Sequence, residues 1–288
     1  MSEEIKNREG VASGSATHKP CNLKSTCHPT VAMFVAVDVN NLEIEFAILD
    51  DAGKITSRFS ISALDKKTGD QYTTEIKNVF DYLKIDKTKI NYAAILSSVP
   101  KFCHILKEFF IRYIKIEPVI IENSSIPISC DNIDKNDVPT SILSATYATT
   151  KLYGPNVVAI TFDAITTFGV AVNGSFVGYT IYPGNEILAT VIHEKITDYP
   201  EIVVQSTHNI FGKNKYSALN CGIFNGSMGA CDNIVNGILE EFKNKEFKVV
   251  ASCKNPELLQ YSKTINIIDQ DLNIKSIVES AKYQLFAL

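Results

Sequence analysis

The sequence predicts a duplicated α/β protein: two halves, each a mixed sheet with flanking helices, facing each other across a cleft. Two observations carry this. The stretch VVAITFDAITTFGVAVNGSFVGYTIYPG, residues 157–184, reads as three strands joined by tight connections. The stretch MFVAVDVNNLEIEFAILDDAGKITSRFSI, residues 33–61, repeats the pattern, and laying Asp38 over Thr161 keeps the two units in step. Helical sequence follows each unit. The later stretch is long and apolar enough to raise a membrane span, but Asp163, the glycines and the β-branched and aromatic content favour strands.

The elements follow in order. Residues 1–32 are polar, with Gly, Ser, Thr, Lys and Pro among the charges, and are expected to be a disordered tail. The tail contains His18, Cys21, Cys27 and His28, whose spacing is wrong for common structural zinc sites. Met33, just ahead of the first strand, admits a later start. The first half, 33–153, opens with strands over Phe34–Val39, Glu45–Leu49 and Lys54–Ile61, the last two joined by an Asp-Asp-Ala-Gly turn. Thr73, Ile76, Val79, Phe80 and Leu83 form an apolar stripe at helical spacing. Tyr92–Val99 reads as a buried strand stopped by Pro100, Phe102–Tyr113 as a helix, Pro118–Glu122 as a short strand and Thr140–Leu152 as a helix with a hydroxyl-rich start.

The second half, 154–288, opens with the three strands of residues 157–184. Asn173-Gly174 favours a two-residue hairpin turn, and Pro183-Gly184 closes the unit. Helices over Glu186–Thr197 and Ser217–Phe242 follow, the second with glycines at 222, 226, 229 and 237. Glycine costs about 1 kcal/mol in a helix interior, so their number suggests close packing against another helix or subunit. A strand at Phe247–Ala251, and a strand, turn and final helix within 266–285, complete the chain.

At 288 residues the chain is long enough for two modest cores. A net charge of −4 gives no basic footprint, which argues against nucleic acid as a partner. Seven cysteines without repeated spacing suggest reduced thiols in a cytoplasmic protein, and residues 1–30 lack the apolar segment of a signal peptide. No membrane association is expected.

Chemistry-bearing residues occur in a definite order: Asp38-Val39-x-Asn41, Ser97-Ser98-Val99-Pro100, Asp131-Asn132, Leu152-Tyr153-Gly154, Thr166-Thr167-Phe168, Pro183-Gly184, Gly212-Lys213-Asn214, Cys221-Gly222-Ile223 and Asp269-x-x-Leu272. With these gaps the chain resembles type III pantothenate kinases, of the acetate and sugar kinase/actin superfamily, over about Met33 to Ala287. The resemblance implies two RNase H-like (actin-like ATPase) halves and a homodimer. It also implies ATP-dependent phosphorylation of pantothenate in coenzyme A biosynthesis, using Mg²⁺ and a monovalent cation.

By that resemblance Asp38, Asn40, Asn41, Ser97, Ser98, Thr166 and Thr167 fall at nucleotide-binding positions, and Pro139, Thr140, Ser141, Ile142, Gly184 and Lys215 at substrate positions. Asp38 and Asp163 are the candidate metal ligands. The motifs are altered, however. Asn40 stands at the glycine of the first phosphate loop and Leu42 at its threonine. Thr161 stands at the aspartate associated with the monovalent cation, and Asp163 at the glycine of the second loop. Glycine there lets backbone approach phosphate, whereas a carboxylate about 4 Å from a phosphate charge is repelled by roughly 4 kcal/mol at an effective dielectric of 20.

Ser141 takes the position of the catalytic aspartate, Pro139 that of a glycine, and Ile142 that of an arginine. A hydroxyl is no base near neutral pH, and isoleucine cannot neutralise phosphate. Asp137 is the nearby substitute base. Cys130 replaces a substrate-contacting tyrosine, Lys215 a threonine, and Ala251-Ser252-Cys253 an adenine-side Thr-Gly-Gly. Cys103-His104, in an amphipathic helix, reads as packing, and Lys213 is the one cation in its glycine loop. Three readings follow. The first, favoured, is a pantothenate kinase relative with weak or lost catalysis and a retained binding or assembly role, as homodimer or with a paralogue. The others are an active kinase with a rearranged site, and a non-catalytic module binding a small molecule or acting as a regulator.

Overall fold

A computed structural model describes residues 32–286. The tail expectation and the His18, Cys21, Cys27 and His28 spacing fall, but for residue 32, outside the described residues. The first meander forms as expected: β1 (Met33–Val39), β2 (Glu43–Leu49) and β3 (Ile55–Ser62) pair antiparallel in sequence order. α1 (Gly69–Tyr82) starts at a reciprocal cap between Thr68 and Gln71. β4 (Ile90–Ser97) lies parallel to β1, α2 (Pro100–Phe109) starts on its proline and runs into a single π turn, and β5 (Val119–Ile120) lies parallel to β4.

After a two-residue strand β6 (Ser129–Cys130) and the helix α3 (Thr140–Tyr153), the pattern repeats. β7 (Val157–Phe162), β8 (Ile165–Val172) and β9 (Ser175–Pro183) form the second meander. Asn173 and Gly174 both take positive φ, 53° and 82°, as the primed hairpin turn requires. Helices α4 (Asn185–Lys195) and α5 (Lys215–Glu241) follow, then β10 (Lys248–Cys253), β11 (Ile267–Ile268) and α6 (Leu272–Phe286). The sheets run β3-β2-β1-β4-β5 and β11-β10-β7-β8-β9-β6. Read from the far edge of each meander the order is the same, which is the duplication the sequence predicts; β6 is an addition at the second sheet's edge.

The faces of the sheets explain the layering. On β1, Val35, Val37 and Val39 alternate with Ala36 and Asp38. The valines join Phe46, Phe80, Phe102 and Phe109 in a core under α1 and α2. The opposite face is built small: Ala36 stands between Ala47 on β2 and Ala94 on β4. That leaves room for α3 and α6, whose Ile142, Leu143, Ile274 and Ile277 pack there. The second sheet does the same with Ala159 paired to Gly169. A Cβ at Gly169 would stand 1.9 Å from Thr146 Oγ1 of α3. The other face, with Val158, Ile160 and Phe168, packs on α5.

Thus α3 and α6 lie between the sheets, tied by the Ser144 hydroxyl to Ser276 O (3.1 Å) and Ser280 (3.0 Å). The described residues, 32–286, belong to one compact unit. The expected boundary at 153/154 divides the sequence, but packing crosses it. β6 joins the free edge of β9, and α6 joins the core of the first sheet. The physical reason is that each sheet's small-residue face needs a helix, and α3 and α6 serve both.

Candidate active site

Each sheet delivers one loop to the cleft. Asp38 is the penultimate residue of β1 and pairs with Glu45 and Leu96; Thr161 is the penultimate residue of β7 and pairs with Thr167 and Ser252. The two positions are equivalent, and both side chains leave the small-residue faces toward the space between the sheets. Two residues further on, Asn40 and Asp163 are equivalent in turn. They meet: Asn40 Nδ2 donates to Asp163 Oδ2 at 2.8 Å, across a sequence separation of 123 residues.

The remaining acceptors of this pair are used too. Asn40 Oδ1 accepts from the backbone amides of Leu42 (2.8 Å) and Glu43 (2.9 Å). Asp163 Oδ1 accepts from the amide of Ala164 (2.9 Å). Amides in such strand-to-strand turns are the donors a phosphate would take; here the chain's own side chains take them. The second turn is fixed by Gly184, whose amide donates to Ala164 O and whose Cβ, if present, would stand 2.2 Å from Asp163 O.

The pair divides the cleft. A cavity of about 100 Å³ lies on one side, lined among others by Asn41, Ser98, Ser141, Thr161 and Thr167. A cavity of about 60 Å³ lies on the other, with Glu43, Glu45, Arg58 and Lys254. Asp38, Asn40, Asp163 and Asn273 line both and so form the wall between them. Sites that enclose a drug-sized ligand run to roughly 300–1,000 Å³.

The electrostatics are acidic. Burial pushes the Asp38 carboxyl up from 3.8 to about 7, helped by the charges of Asp163, Glu45 and Glu43 and opposed by Lys254. Burial also raises Glu45, against the pull of Arg58. Arg58 bridges Glu45 (3.1 Å) and Asp271 (2.6 Å), and Lys254 pairs with Glu43 across the cleft.

Of the residues singled out from sequence, Asp38, Asn40, Asn41, Ser98, Ser141, Asp163 and Thr167 line the larger cavity. Others stand elsewhere. The Ser97 hydroxyl is engaged with Val99 N and O at the start of α2. Thr166 is buried opposite Tyr182, and Ile142 is buried in the core. Thr140, half-buried, and Pro139, exposed, lie at the start of α3 outside the cavity lining; Lys215 is exposed at the start of α5. Asp137 is exposed on a 3₁₀ turn, where its carbonyl accepts from Tyr179, and it lines neither cleft cavity. Lys213 donates its amide to Ser217, and Cys103 is a half-buried free thiol. Asn273 and Ser276 of α6, and the Glu45–Arg58–Lys254 group, had no sequence signal beyond residue type, because only the fold brings α6 and β3 to the cleft.

Each oxygen of Asp163 accepts one hydrogen bond within the protein, so a metal ion there would share the carboxylate with Asn40 and the Ala164 amide, and Asp38 lines the same cavity. With the Asn40–Asp163 bridge in place, the amides of Leu42, Glu43 and Ala164 are already bonded, and cavities of about 100 and 60 Å³ do not fit a nucleoside triphosphate.

Two sheets of one strand order, with a cleft at the strand ends and helices between, define the duplicated RNase H-like fold of actin-like ATPases and sugar kinases. A Campylobacter jejuni protein assigned to the Baf family of transcriptional activators has this fold (TM-score 0.52, 13% identity, covering 87% of this chain and 98% of that one). So does a Sinorhizobium meliloti protein assigned as a 2-dehydro-3-deoxygalactonokinase (TM-score 0.51, 10% identity, 88% and 100%).

The chain belongs to the type III pantothenate kinase family, whose model matches residues 34–237. Curated type III pantothenate kinases of Agathobacter rectalis and Ehrlichia canis are 28% and 29% identical, over 85% of this chain and 95% and 94% of theirs. That of Sulfurihydrogenibium is 26% identical over 87% of this chain and all of its own.

Proposed function

We propose that this chain is a type III pantothenate kinase relative whose catalysis is weak or lost and whose binding or assembly role is retained. One observation carries the reading: in the two loops that fall at the family's phosphate positions, the amides of Leu42, Glu43 and Ala164 are bonded to the side chains of Asn40 and Asp163, which also bridge the cleft. An ATP phosphate would have to break this chain of bonds and lie beside the Asp163 charge. The position of the family's base is a second support. Ser141 faces the cavity with a hydroxyl, and Ile142 is buried in the core. Loss of a general base alone costs about 10²–10⁴ in rate. The assembly partner is a second copy of the chain or an intact paralogue, in the cytoplasm.

A second reading has one observation in its favour. Asp38 lines the cavity that contains Ser141, and a carboxyl pushed to about 7 is matched to proton abstraction near neutral pH. In that reading the chain phosphorylates pantothenate with ATP, Mg²⁺ and a monovalent cation, and Asp38 serves as base.

The test is direct. Full-length protein is incubated with ATP, Mg²⁺, K⁺ and pantothenate, and 4′-phosphopantothenate is measured by mass spectrometry. The proposal expects a rate at least about a thousandfold below that of the Agathobacter rectalis relative run in parallel. Turnover within tenfold of that relative, abolished by Asp38→Asn, would establish the second reading instead.

A further inference from the structure

The bridge has more to it than two altered glycine positions. It is a closed chain: Leu42 N and Glu43 N donate to Asn40 Oδ1, Asn40 Nδ2 donates to Asp163 Oδ2, and Ala164 N donates to Asp163 Oδ1. It runs from the loop of one sheet to the equivalent loop of the other. An anion bound between two such loops would accept from both and hold them together. Here the anion is a side chain of one loop, and its donor is a side chain of the other.

We infer that Asn40 and Asp163 form a built-in latch, in which the Asp163 carboxylate holds the mouth of the cleft closed without a ligand. This deepens the proposed function and rests on that reading for its consequence, a cradle closed to phosphate. The geometry supports a latch over two independent turn caps. Capping Leu42 and Glu43 needs only an acceptor at position 40, which aspartate would supply equally well, whereas Asn40 spends its amide group on the opposite loop. The Gly184 contact holds the Asp163 turn against the end of β9 so that the carboxylate faces the cleft. The floor of the cleft is held separately by α3 and α6, which pack on each other and on the first sheet, so the latch acts at the mouth.

A swap tests this. Asn40→Asp keeps the local cap but sets two carboxylates face to face. Asn40→Asp with Asp163→Asn restores one donor and one acceptor in reversed order. Backbone amide exchange at residues 40–43 and 163–165 is followed by mass spectrometry in the full chain. The latch requires exchange at both loops to rise at least about tenfold in Asn40→Asp and to return to within about threefold of the parent in the swap.

Unchanged exchange in Asn40→Asp, or a swap no better than the single variant, overturns the latch. Should Asn40→Asp not fold, Asn40→Ser, which retains a local acceptor but is too short to reach Asp163, carries the same expectation for exchange and the same overturning result. The proposed function fails separately: turnover of pantothenate by the parent within tenfold of the Agathobacter rectalis relative overturns it and leaves the swap to decide the latch.

Discussion

A single carboxyl shows how closely the cleft is tuned. Asp38 holds its proton to about pH 7 because burial and the neighbouring Asp163, Glu45 and Glu43 disfavour its charge, with Lys254 the one opposing cation. Between its ordinary value of 3.8 and about 7 the folded state binds more protons than the unfolded. Its contribution is therefore largest at low pH, falls as pH rises through that window and levels off above it. Thermal unfolding at pH 6 and pH 8 should show Asp38→Asn flatter than the parent by on the order of 1 kcal/mol, and more stable at pH 8. Equal pH dependence in the two would mean that the group is solvated.

Gly184 is tuned sterically. Its missing Cβ would meet Asp163 O and Ala164 O at 2.2 and 2.4 Å, both backbone atoms. Gly184→Ala should cost about 1–3 kcal/mol by chemical denaturation and displace the Asp163 turn. The sequence showed each of these residues in isolation, including the charge at Asp163 that opposes phosphate. It could not show that Asn40 receives that charge, since the partner lies 123 positions away.

The elements were the most legible part of the chain. Alternating apolar residues, the Asn173-Gly174 turn and the equal spacing around Asp38 and Thr161 gave both meanders with boundaries close to those observed. The glycines of α5, expected to pack against another helix or a subunit, find no such helix among the described residues. Among the described residues, nothing lies within 4 Å of where a Cβ would stand at Gly222, Gly226, Gly229 and Gly237. Gly222 and Gly226 instead line a groove of about 430 Å³ with Leu188, Ile192 and Tyr199. For a chain that does not use this face, replacing Gly222 and Gly226 by Ala should stabilise α5 by about 0.5–1 kcal/mol each. If the face contacts a second copy, the same variant should lose mass in sedimentation equilibrium.

Gly169 behaves oppositely. Gly169→Ala should cost about 1–3 kcal/mol through the 1.9 Å contact with Thr146 Oγ1, and Thr146→Ala should recover most of it. Additive losses in the double variant would show that α3 does not rest on β8 as described.

At the scale of the whole molecule, the duplicated fold makes a cleft whatever its loops contain, because the small faces Ala36–Ala47–Ala94 and Ala159–Gly169 bring α3 and α6 between the sheets. Selection on the loops can therefore alter or silence the site while the cores remain intact. That is why family membership was readable from ordered landmarks along the chain, whereas the state of the site needed coordinates: it depends on which amides are already bonded. The most direct measurement is isothermal titration of the full-length protein with Mg-ATP, beside an Asn40→Gly, Asp163→Gly double variant. The account requires no detectable binding by the parent and measurable binding once both loops are freed. Tight binding by the parent, with no gain in the double variant, would contradict it.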